Sequence, residues 1–458
     1  MEIAEVRTRT RTQVDLLQGN VIHALAVFAL PFLISNIFQQ LYNTVDTIIV
    51  GHNLGDASLA AIGASGPIYN LLVGLALGVG GGMSIVLGRK YGSSDRAELK
   101  KAVAATLVIG LAVSLLLTAV SLVAIMPLLR LLDTPMEIID EAYSYISLIT
   151  LFIVVMMGFN VLSGVLRAIG DSTMPLVFLA ISAVANIGLD LLFIRGLQMG
   201  IRGAAIATVI AQGLSGLLCM IYILKTYPYL VPQKEHFGFD TGLYVDLLGQ
   251  GISVGLMNAL VNSGTLVMQY AINSLGYQAI AGYLAGKRLF FFTVMPLGAL
   301  ANSLSAFVAQ NRGADQGLRI KQAVGYSHVF SVTWALFIAA FSYLTAPFLV
   351  KFLTGSHDVD VLAYGTTFIR IVTPFYLVLG PVFSLRHSLQ GIGRKVIPLG
   401  SSIIELMGKV VFTLWIFKYT GYIGIVLCEP IIWCLMFAQL TWAFYTDPYM
   451  KAQSSPAS

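Results

Sequence analysis

Charged residues are scarce in this sequence. Only 11% of its 458 residues are Asp, Glu, Lys or Arg, whereas 57% are hydrophobic. Soluble domains carry about 25% charged residues, so this shortage excludes a chain that folds in water around a single core. Each charge that does lie within an apolar run is expected to have a partner or a functional role, because an unpaired charge in hydrocarbon is costly.

Cysteine and histidine are also few. Cys219, Cys428 and Cys434 lie in apolar runs, without the spacing of a disulfide framework or a metal site. The six histidines are scattered, with no zinc-binding spacing. The glycine-rich stretch 78–82 is not followed by Gly-Lys-Ser/Thr, so it is not a Walker phosphate loop. We therefore expect no cofactor, no catalytic centre and no direct use of ATP, and the chain is not predicted to be an enzyme.

What the sequence has instead is a series of long apolar runs. A helix that crosses about 30 Å of hydrocarbon needs about 20 residues, whereas the strands of a membrane barrel alternate over about ten. The run from 102 to 126 is almost continuously apolar, which predicts helices and excludes a barrel. Twelve spans are predicted, at residues 23–49, 60–87, 102–126, 143–166, 175–195, 202–224, 246–273, 279–308, 325–346, 362–386, 398–418 and 421–445.

Basic residues are unevenly distributed among the segments that join these spans. With the N-terminus inside, the inner segments hold eighteen Lys and Arg, including a basic flank at Arg7, Arg9 and Arg11. The outer loops hold only five, which are Arg130, Arg195, Arg202, Lys351 and Lys418. Such an excess is typical of cytoplasmic loops. We predict a multi-pass protein of the cell membrane, inner or plasma, with both termini in the cytoplasm.

The two halves of the chain repeat one another at a shift of 221 to 223 residues. The clearest matches are Leu54-Gly55 with Leu275-Gly276, Ile169-Gly170 with Ile392-Gly393, and Gly200 with Gly421. A shift of this length contains six spans, an even number, so both halves are predicted to have the same orientation. The predicted fold is all-α, with twelve transmembrane helices in two pseudo-twofold-related six-helix bundles. Its boundaries are 1–225 for the N-terminal bundle, 226–241 for a cytoplasmic linker and 242–458 for the C-terminal bundle.

A block at the end of the first span carries a family resemblance. It reads QQLYNTVDTIIVG from Gln39 to Gly51, and Leu59-Ala60-Ala61 follows it. With the glycine-rich second span and the basic loop 88–101, this block resembles the multidrug and toxic compound extrusion (MATE) family, and the resemblance covers nearly the whole chain. It implies a V-shaped pair of six-helix bundles that opens alternately inward and outward. It also implies export of amphipathic, often cationic, compounds in exchange for H⁺ or Na⁺.

Two acids lie within the spans of the N-terminal half. Asp190 follows Asn186 by four residues, which places both on one face of a helix. Asp46, Asp190 and Thr208 are predicted to lie at similar depth, near the outer ends of their spans. Two carboxylates, an amide and a hydroxyl can hold Na⁺, and two close carboxylates can also share a proton. Residue types alone leave both uses open.

The family resemblance adds further residues to this predicted cation site. The set Asp46, Asn186, Asp190 and Thr208 is similar to the cation site of the family's N-lobe, and Tyr145 and Asn160 match its hydrogen-bonding positions. The structural alternative is that these side chains only hold helices together. Asn160 lies deep along its span, which makes its membership the weakest of the six.

The C-terminal half has a different pattern of charge. The repeat places Lys409 opposite Asn186 and Glu429 opposite Thr208, while Glu405 precedes Lys409 by four residues, in the favourable order for a helical ion pair. We interpret this group as structural, with a second titrating site as the alternative. The NorM-like branch of the family carries acids in spans seven and ten, whereas span ten here contains Arg370. This departure favours the branch with an N-lobe cation site.

Several other residues are candidates for a substrate cavity. Lys287 and Arg288 are cations within the eighth span, with snorkelling or pairing to an acid as the alternative. Phe291 and Met257 offer adaptable apolar contact, although such residues more often pack or face lipid. Gln39 and Tyr42, from the block that carries the resemblance, complete the set.

Two other functions compete with drug export. A lipid-linked oligosaccharide flippase of the same superfamily is the nearer alternative, but such proteins often have more spans and more cationic cavities. A membrane-embedded transferase would need a catalytic base or a metal cluster, and the sequence shows neither. The expected partners are small amphipathic molecules and the lipid bilayer, without nucleic acid. A monomer is expected because one chain already contains both halves.

Overall fold

The structure is a computed structural model that describes residues 12–453, so the predicted basic flank at Arg7, Arg9 and Arg11 lies outside it. Contacts within the chain divide it into two compact units, which we call the first unit (up to Leu256) and the second unit (from Met257). The boundary between them falls inside one long helix, Thr241–Asn273. The described residues contain helices and turns but no strand.

The described part of the first unit contains seven helices and the beginning of an eighth. They are α1 (Val21–Leu54), α2 (Asp56–Gly92), α3 (Arg96–Leu131), α4 (Ile139–Leu151), α5 (Ile153–Ala168), α6 (Thr173–Asp190), α7 (Ile201–Thr226) and α8 (Thr241–Asn273). A π-helical segment, Leu191–Gly196, continues α6 without a break. Two short 3₁₀ turns, Pro228–Leu230 and Lys234–Phe237, join α7 to α8.

The described part of the second unit continues from α8. Its helices are α9 (Tyr277–Gly313), α10 (Gly317–Thr354), α11 (Val359–Val372), α12 (Tyr376–Ile392), α13 (Val396–Val411), α14 (Phe417–Thr446) and α15 (Pro448–Ala452). A 3₁₀ turn, Thr373–Phe375, joins α11 to α12, and a π-helical segment, Phe412–Ile416, joins α13 to α14.

Side-chain caps begin several of these helices. The first backbone N–H groups of a helix have no partner within it, so a short polar side chain there supplies one. The Asn20 side chain accepts from the N–H of His23 at the start of α1, and the Asp95 side chain accepts from the N–H of Glu98 at the start of α3. These caps place the helix starts in the polar segments that the hydropathy pattern leaves between spans.

The internal repeat is present in the backbone. The π-helical segments begin at Leu191 and Phe412, which are 221 residues apart. The glycines matched in the sequence also share a conformation, because both members of each pair have positive φ. The pairs are Gly55 with Gly276, Gly170 with Gly393 and Gly200 with Gly421. Glycine is the residue that adopts such φ values at little cost. The two halves therefore repeat the glycine turns between helices as well as the spans.

The number of spans agrees with the prediction of twelve. Ten helical stretches within residues 12–453 are long and apolar enough to cross a membrane, and the bent pair of α4 and α5 makes eleven. One of the ten, Val396–Thr446, has 51 residues. As a single helix it would be about 76 Å long, over twice the thickness of hydrocarbon. It is broken at Gly421, where φ is 55° and ψ is −141°, and therefore provides two spans.

Two predicted spans differ from the continuous helices expected. The fourth, predicted at 143–166, consists of α4 and α5, which meet at Phe152 with a bend of 46°. The tenth, predicted at 362–386, is interrupted by the turn Thr373–Phe375, which contains Pro374. Proline has no N–H to donate and its ring crowds the preceding turn, which accounts for the second interruption. The first has no proline, and hydropathy cannot reveal a bend within an apolar run.

Packing inside each unit repeats as well. In the first unit α2 packs against α3, α4 and α5, and α7 packs against α5 and α6. In the second unit α9 packs against α10, α11 and α12, and α14 packs against α12 and α13. Small residues permit these approaches: a Cβ atom added to Gly164 of α5 would lie 3.1 Å from the Ser84 side chain of α2. Close contact of this kind is how helices associate in lipid.

We predict that Gly200→Ala and Gly421→Ala will each lower the free energy of unfolding by about 1–3 kcal/mol, because non-glycine residues are strained in this backbone region. Added Cβ atoms would meet nothing within 4 Å at either position, so the cost would be conformational rather than steric. Gly325→Ala, inside α10 with equally open space, is the matched control and should be neutral or stabilising. Thermal unfolding of the purified variants measures the difference. Equal melting temperatures for all three would contradict the prediction.

Candidate functional site

Asp46 of α1 and Asp190 of α6 meet inside the first unit. Their carboxyl groups lie within hydrogen-bonding reach of each other. Asp190 is fully buried, at the last residue of α6 before the π-helical segment, and Asp46 is half-buried. The two helices pack against each other, so residues 144 positions apart in the chain form one acidic pair.

Asn186 and Thr208 complete the polar group around this pair. The Asn186 amide satisfies both of its neighbours when its nitrogen donates to Asp190 Oδ2 at 2.8 Å and its oxygen accepts from the Thr208 N–H at 3.3 Å. The Thr208 hydroxyl lies 3.2 Å from the Tyr42 hydroxyl. The structure thus brings together four of the six predicted site residues and adds Tyr42, which the sequence suggested for a substrate cavity.

Two further tyrosines lie near the acidic pair. Tyr145 of α4 is buried and close enough to Asp46 and Asp190 for an electrostatic interaction with both carboxyl groups. Tyr69 of α2 is similarly close to Asp46. Sequence reasoning missed Tyr69, because a single aromatic residue in an apolar span carries no signal of its own.

No basic side chain in the described part of the chain compensates the two aspartates. Within residues 12–453, neither Asp46 nor Asp190 takes part in an ion pair with Lys, Arg or His. One oxygen of each carboxyl group is buried without a hydrogen-bond donor. Among the same residues no group of three or more His, Cys, Asp and Glu could hold a metal ion. Within the described residues the pair therefore has no fixed positive charge beside it, and a proton or a small cation is the kind of group that could neutralise it.

A polar cavity lies beside the acidic group in the same unit. Its volume is about 170 Å³. Asn160 lines it and donates its amide to the Met156 carbonyl at 3.4 Å; among the described residues it forms no hydrogen bond with either aspartate. Gln39 and Gln212 also line it, and both extend into a narrower cavity that reaches Tyr42. Tyr42 is therefore shared between the cavity and the acidic group.

Buried and partly buried charges in the second unit form a chain that links four helices. Lys287 Nζ of α9 lies 2.7 Å from Glu429 Oε2 of α14. Lys409 Nζ of α13 lies 3.1 Å from Glu429 Oε1 and 3.0 Å from Glu405 Oε1. Arg386 Nη2 of α12 lies 3.7 Å from Glu405 Oε2, and its Nε donates to Ser401 Oγ at 2.9 Å. Every acid in this chain has two cationic neighbours, which is the opposite of the first unit.

The other predicted cavity residues have varied surroundings. Lys287 belongs to the charge chain and lies over the rings of Tyr283 and Phe290. Arg288 is exposed, and Phe291 is 47% exposed. Met257 is buried and its sulfur accepts from Gln390 Nε2 at 3.5 Å. Arg370 donates to the Tyr343 carbonyl at 3.1 Å.

Sequence reasoning also missed two arginines. Arg386 and Arg167 are two of the eighteen basic residues that the sequence assigns to inner segments. In the structure Arg386 is buried within α12 and ends the charge chain, and Arg167, in the last turn of α5, lines the cavity of the first unit. Both lie towards the predicted cytoplasmic side, where the excess of cytoplasmic Lys and Arg already accounts for a basic residue, so the sequence gives no sign of a further role.

The fold and the site define a class of protein. Twelve helical spans, a duplicated architecture and an uncompensated acidic pair beside a polar cavity are features of a multi-pass membrane transporter. The family model named MatE matches this chain twice, over residues 31–192 and 254–415. These two matches cover most of the chain and reproduce its repeat. The chain belongs to the MATE family.

Individual relatives agree with this assignment. The chain is 26% identical to the "Probable multidrug resistance protein YpnP" of Bacillus subtilis, over 88% of each chain. It is 28% identical to a protein of Shewanella oneidensis named FAD transporter, over 92% of this chain and 94% of that one. A solved structure described as the outward-facing conformation of a multidrug resistance MATE family transporter superposes with a TM-score of 0.88. It is 23% identical, covering 98% of this chain and 100% of the other.

We predict that Lys409→Met will lower the free energy of unfolding by about 3–5 kcal/mol, because it leaves buried acids without one of their cations. The double variant Glu405→Gln/Lys409→Met should recover part of this loss, since it removes one acid together with the lysine. Lys451→Met, at an exposed position of α15, is the control and should be neutral. Thermal unfolding in detergent measures all three. A double variant as unstable as Lys409→Met would show that the charge chain is not what stabilises this packing.

Proposed function

We propose that this chain is a secondary active antiporter that exports amphipathic, often cationic, compounds in exchange for H⁺ or Na⁺. The observation that carries the proposal is the pair of a half-buried Asp46 and a buried Asp190, which no basic residue within 12–453 compensates. A charge left bare in low dielectric is costly. A cation that enters the pair and later leaves it can therefore drive a change in the structure around it.

The geometry of the pair favours H⁺ over Na⁺ as the coupling ion. Two carboxyl groups within hydrogen-bonding reach of each other need a proton between them, since two carboxylates would repel. A Na⁺ site would also need the Asn186 oxygen turned towards the aspartates, whereas the amide orientation that satisfies both of its neighbours turns this oxygen towards the Thr208 N–H. In this arrangement Asn186 presents a donor to Asp190, which suits a carboxyl pair that shares one proton.

Coupling to the exported compound would pass through Tyr42. Its hydroxyl contacts Thr208 of the acidic group, and its side chain lines the narrow cavity that shares Gln39 and Gln212 with the larger one. When the pair holds its proton, the negative charge beside the cavity is reduced and a cationic compound is held less tightly. Entry of H⁺ would therefore favour release of the compound, as exchange requires.

The relatives support the same direction of transport. The name of the Bacillus relative refers to multidrug resistance, and the description of the solved relative refers to a multidrug resistance transporter. We extend this function to the present chain, acting as a monomer in the cell membrane with both termini in the cytoplasm. We also propose that residues 1–225 and 242–458 act as the two bundles, with 226–241 as the linker, and that coupling belongs to the N-terminal bundle.

We predict that Asp46→Asn will abolish gradient-driven export, because an amide cannot take up a proton or balance a cation in the pair. Ethidium efflux from proteoliposomes, under separately imposed pH and Na⁺ gradients, measures the effect. The wild type should respond to the pH gradient. Asp56→Asn, ten residues further along the chain at an exposed position, is the matched control and should export like wild type.

Two outcomes would contradict this proposal. Wild-type rates in the Asp46→Asn variant would move coupling away from the acidic pair, with Glu405 and Glu429 next to be tested. A wild type that responds to the Na⁺ gradient alone would retain antiport but overturn the choice of H⁺. Melting temperatures of both variants show whether any loss of export comes from unfolding.

A further inference from the structure

Arg167 is a cation that lines a cavity and pairs with no acid in the described part of the chain. It lies in the last turn of α5 and lines the cavity of about 170 Å³ in the first unit. Its Nη2 donates to Ser163 Oγ at 2.6 Å, and its guanidinium lies over the Phe32 ring, 5.4 Å from the centroid. Within residues 12–453 it takes part in no ion pair, in contrast to Lys287, Lys409 and Arg386 of the second unit.

The nearest acid along the chain is already satisfied by neutral donors. Asp171 is fully buried, and its carboxylate accepts from the hydroxyls of Thr12 and Tyr227, both at 2.9 Å, and from the Tyr222 hydroxyl at 3.3 Å. The N–H of Met174 donates to its other oxygen at 3.1 Å. The carboxylate of Asp171 therefore has its hydrogen bonds without Arg167. Within the described residues no acid pairs with the guanidinium of Arg167.

The lining of the cavity matches an anionic group attached to a ring. Four amide side chains that can donate hydrogen bonds surround the space, and three aromatic rings provide flat apolar contact. The amides are Asn36, Gln39, Asn160 and Gln212, and the rings belong to Phe32, Tyr69 and Phe159. A guanidinium already positioned by Ser163 and Phe32 is well prepared to bind a carboxylate with two parallel hydrogen bonds.

Size limits what can bind there. The cavity is several times the share of one water molecule, about 30 Å³, and is therefore large enough for one substituted ring but not for a large polycyclic dye. A cation that lines such a space is either hydrated by water or paired with an anion that displaces the water. The anion has the advantage of opposite charge in a low dielectric.

We propose that Arg167 makes this cavity a subsite for the anionic group of ring-bearing amphipathic carboxylates, so that the compounds handled by the chain are not restricted to cations. The transport of such compounds rests on the function proposed above, whereas their binding does not. The Asp46 and Asp190 pair would then act on this cavity through the narrower one that reaches Tyr42, while Arg167 supplies the positive charge within the cavity itself.

The test uses two probes of the same shape and different charge. 4-Fluorobenzoate and 4-fluorobenzamide are titrated into the purified full-length protein in neutral detergent, and fluorine NMR measures binding, with empty micelles as the blank. We expect the wild type to bind the benzoate about tenfold or more tightly than the benzamide, as a charged and bidentate contact requires. Arg167→Gln should remove this preference, and Arg167→Lys should retain part of it because the charge remains.

An exposed arginine of the same unit provides the matched control. Arg202→Gln removes the same charge at the start of α7, away from the cavity lining, and should bind the benzoate like wild type. Wild-type binding without a preference for the benzoate, or an unchanged preference in Arg167→Gln, would overturn the proposal. Loss of preference in Arg202→Gln as well would show that general surface charge, not the cavity, attracts the anion.

Failure here is distinguishable from failure of the antiport proposal. Gradient-driven ethidium efflux by the wild type, together with no benzoate preference, would overturn the anion subsite and leave antiport intact. A benzoate preference that depends on Arg167, without efflux under either gradient, would support the subsite and overturn antiport. A melting temperature near that of wild type confirms that the Arg167→Gln variant is folded.

Discussion

The cost of a bare charge in a low dielectric governs this molecule. In the second unit that cost is met internally: Lys287, Lys409 and Arg386 alternate with Glu429 and Glu405, and the resulting chain ties four helices together. In the first unit it is left unmet at two places, because Asp46 and Asp190 have no basic partner and Arg167 has no acidic one within the described residues. Breaking a compensated buried pair is costly, and uncompensated buried charges are candidates for binding an ion or a ligand.

This contrast gives the two halves of a duplicated chain different tasks. They share their turning points, their π-helical segments and their packing order, so duplication preserved the scaffold. Pseudo-equivalent positions nevertheless carry Asn186 in one half and Lys409 in the other. The half with the asparagine holds an acidic pair without a basic partner among the described residues, and the half with the lysine holds an ion network. The division agrees with coupling in the first unit and mechanical stability in the second.

The features that could be predicted from the sequence are those that depend on residues close together in the chain. Span number, helical class and the repeat depend on local hydropathy and on glycine spacing, and these were predicted and are confirmed. The i,i+4 pairing of Glu405 with Lys409 also depends only on helical geometry, and the ion pair is present. The bend between α4 and α5 was missed, since an apolar run looks the same whether its helix is straight or broken.

The sequence by itself determined that the chain spans a membrane twelve times, has a duplicated fold and carries two acids within the apolar spans of its first half. Each of these follows from composition, from the internal repeat or from spacing along one helix. Only the tertiary structure decided which charges meet. It joined Lys287 to Glu429 and Arg386 to Glu405, placed Tyr69 and Tyr42 against the aspartates, and left Arg167 facing a cavity. The reason is that compensation depends on contacts between helices distant in sequence, and hydropathy does not record which faces of those helices pack together.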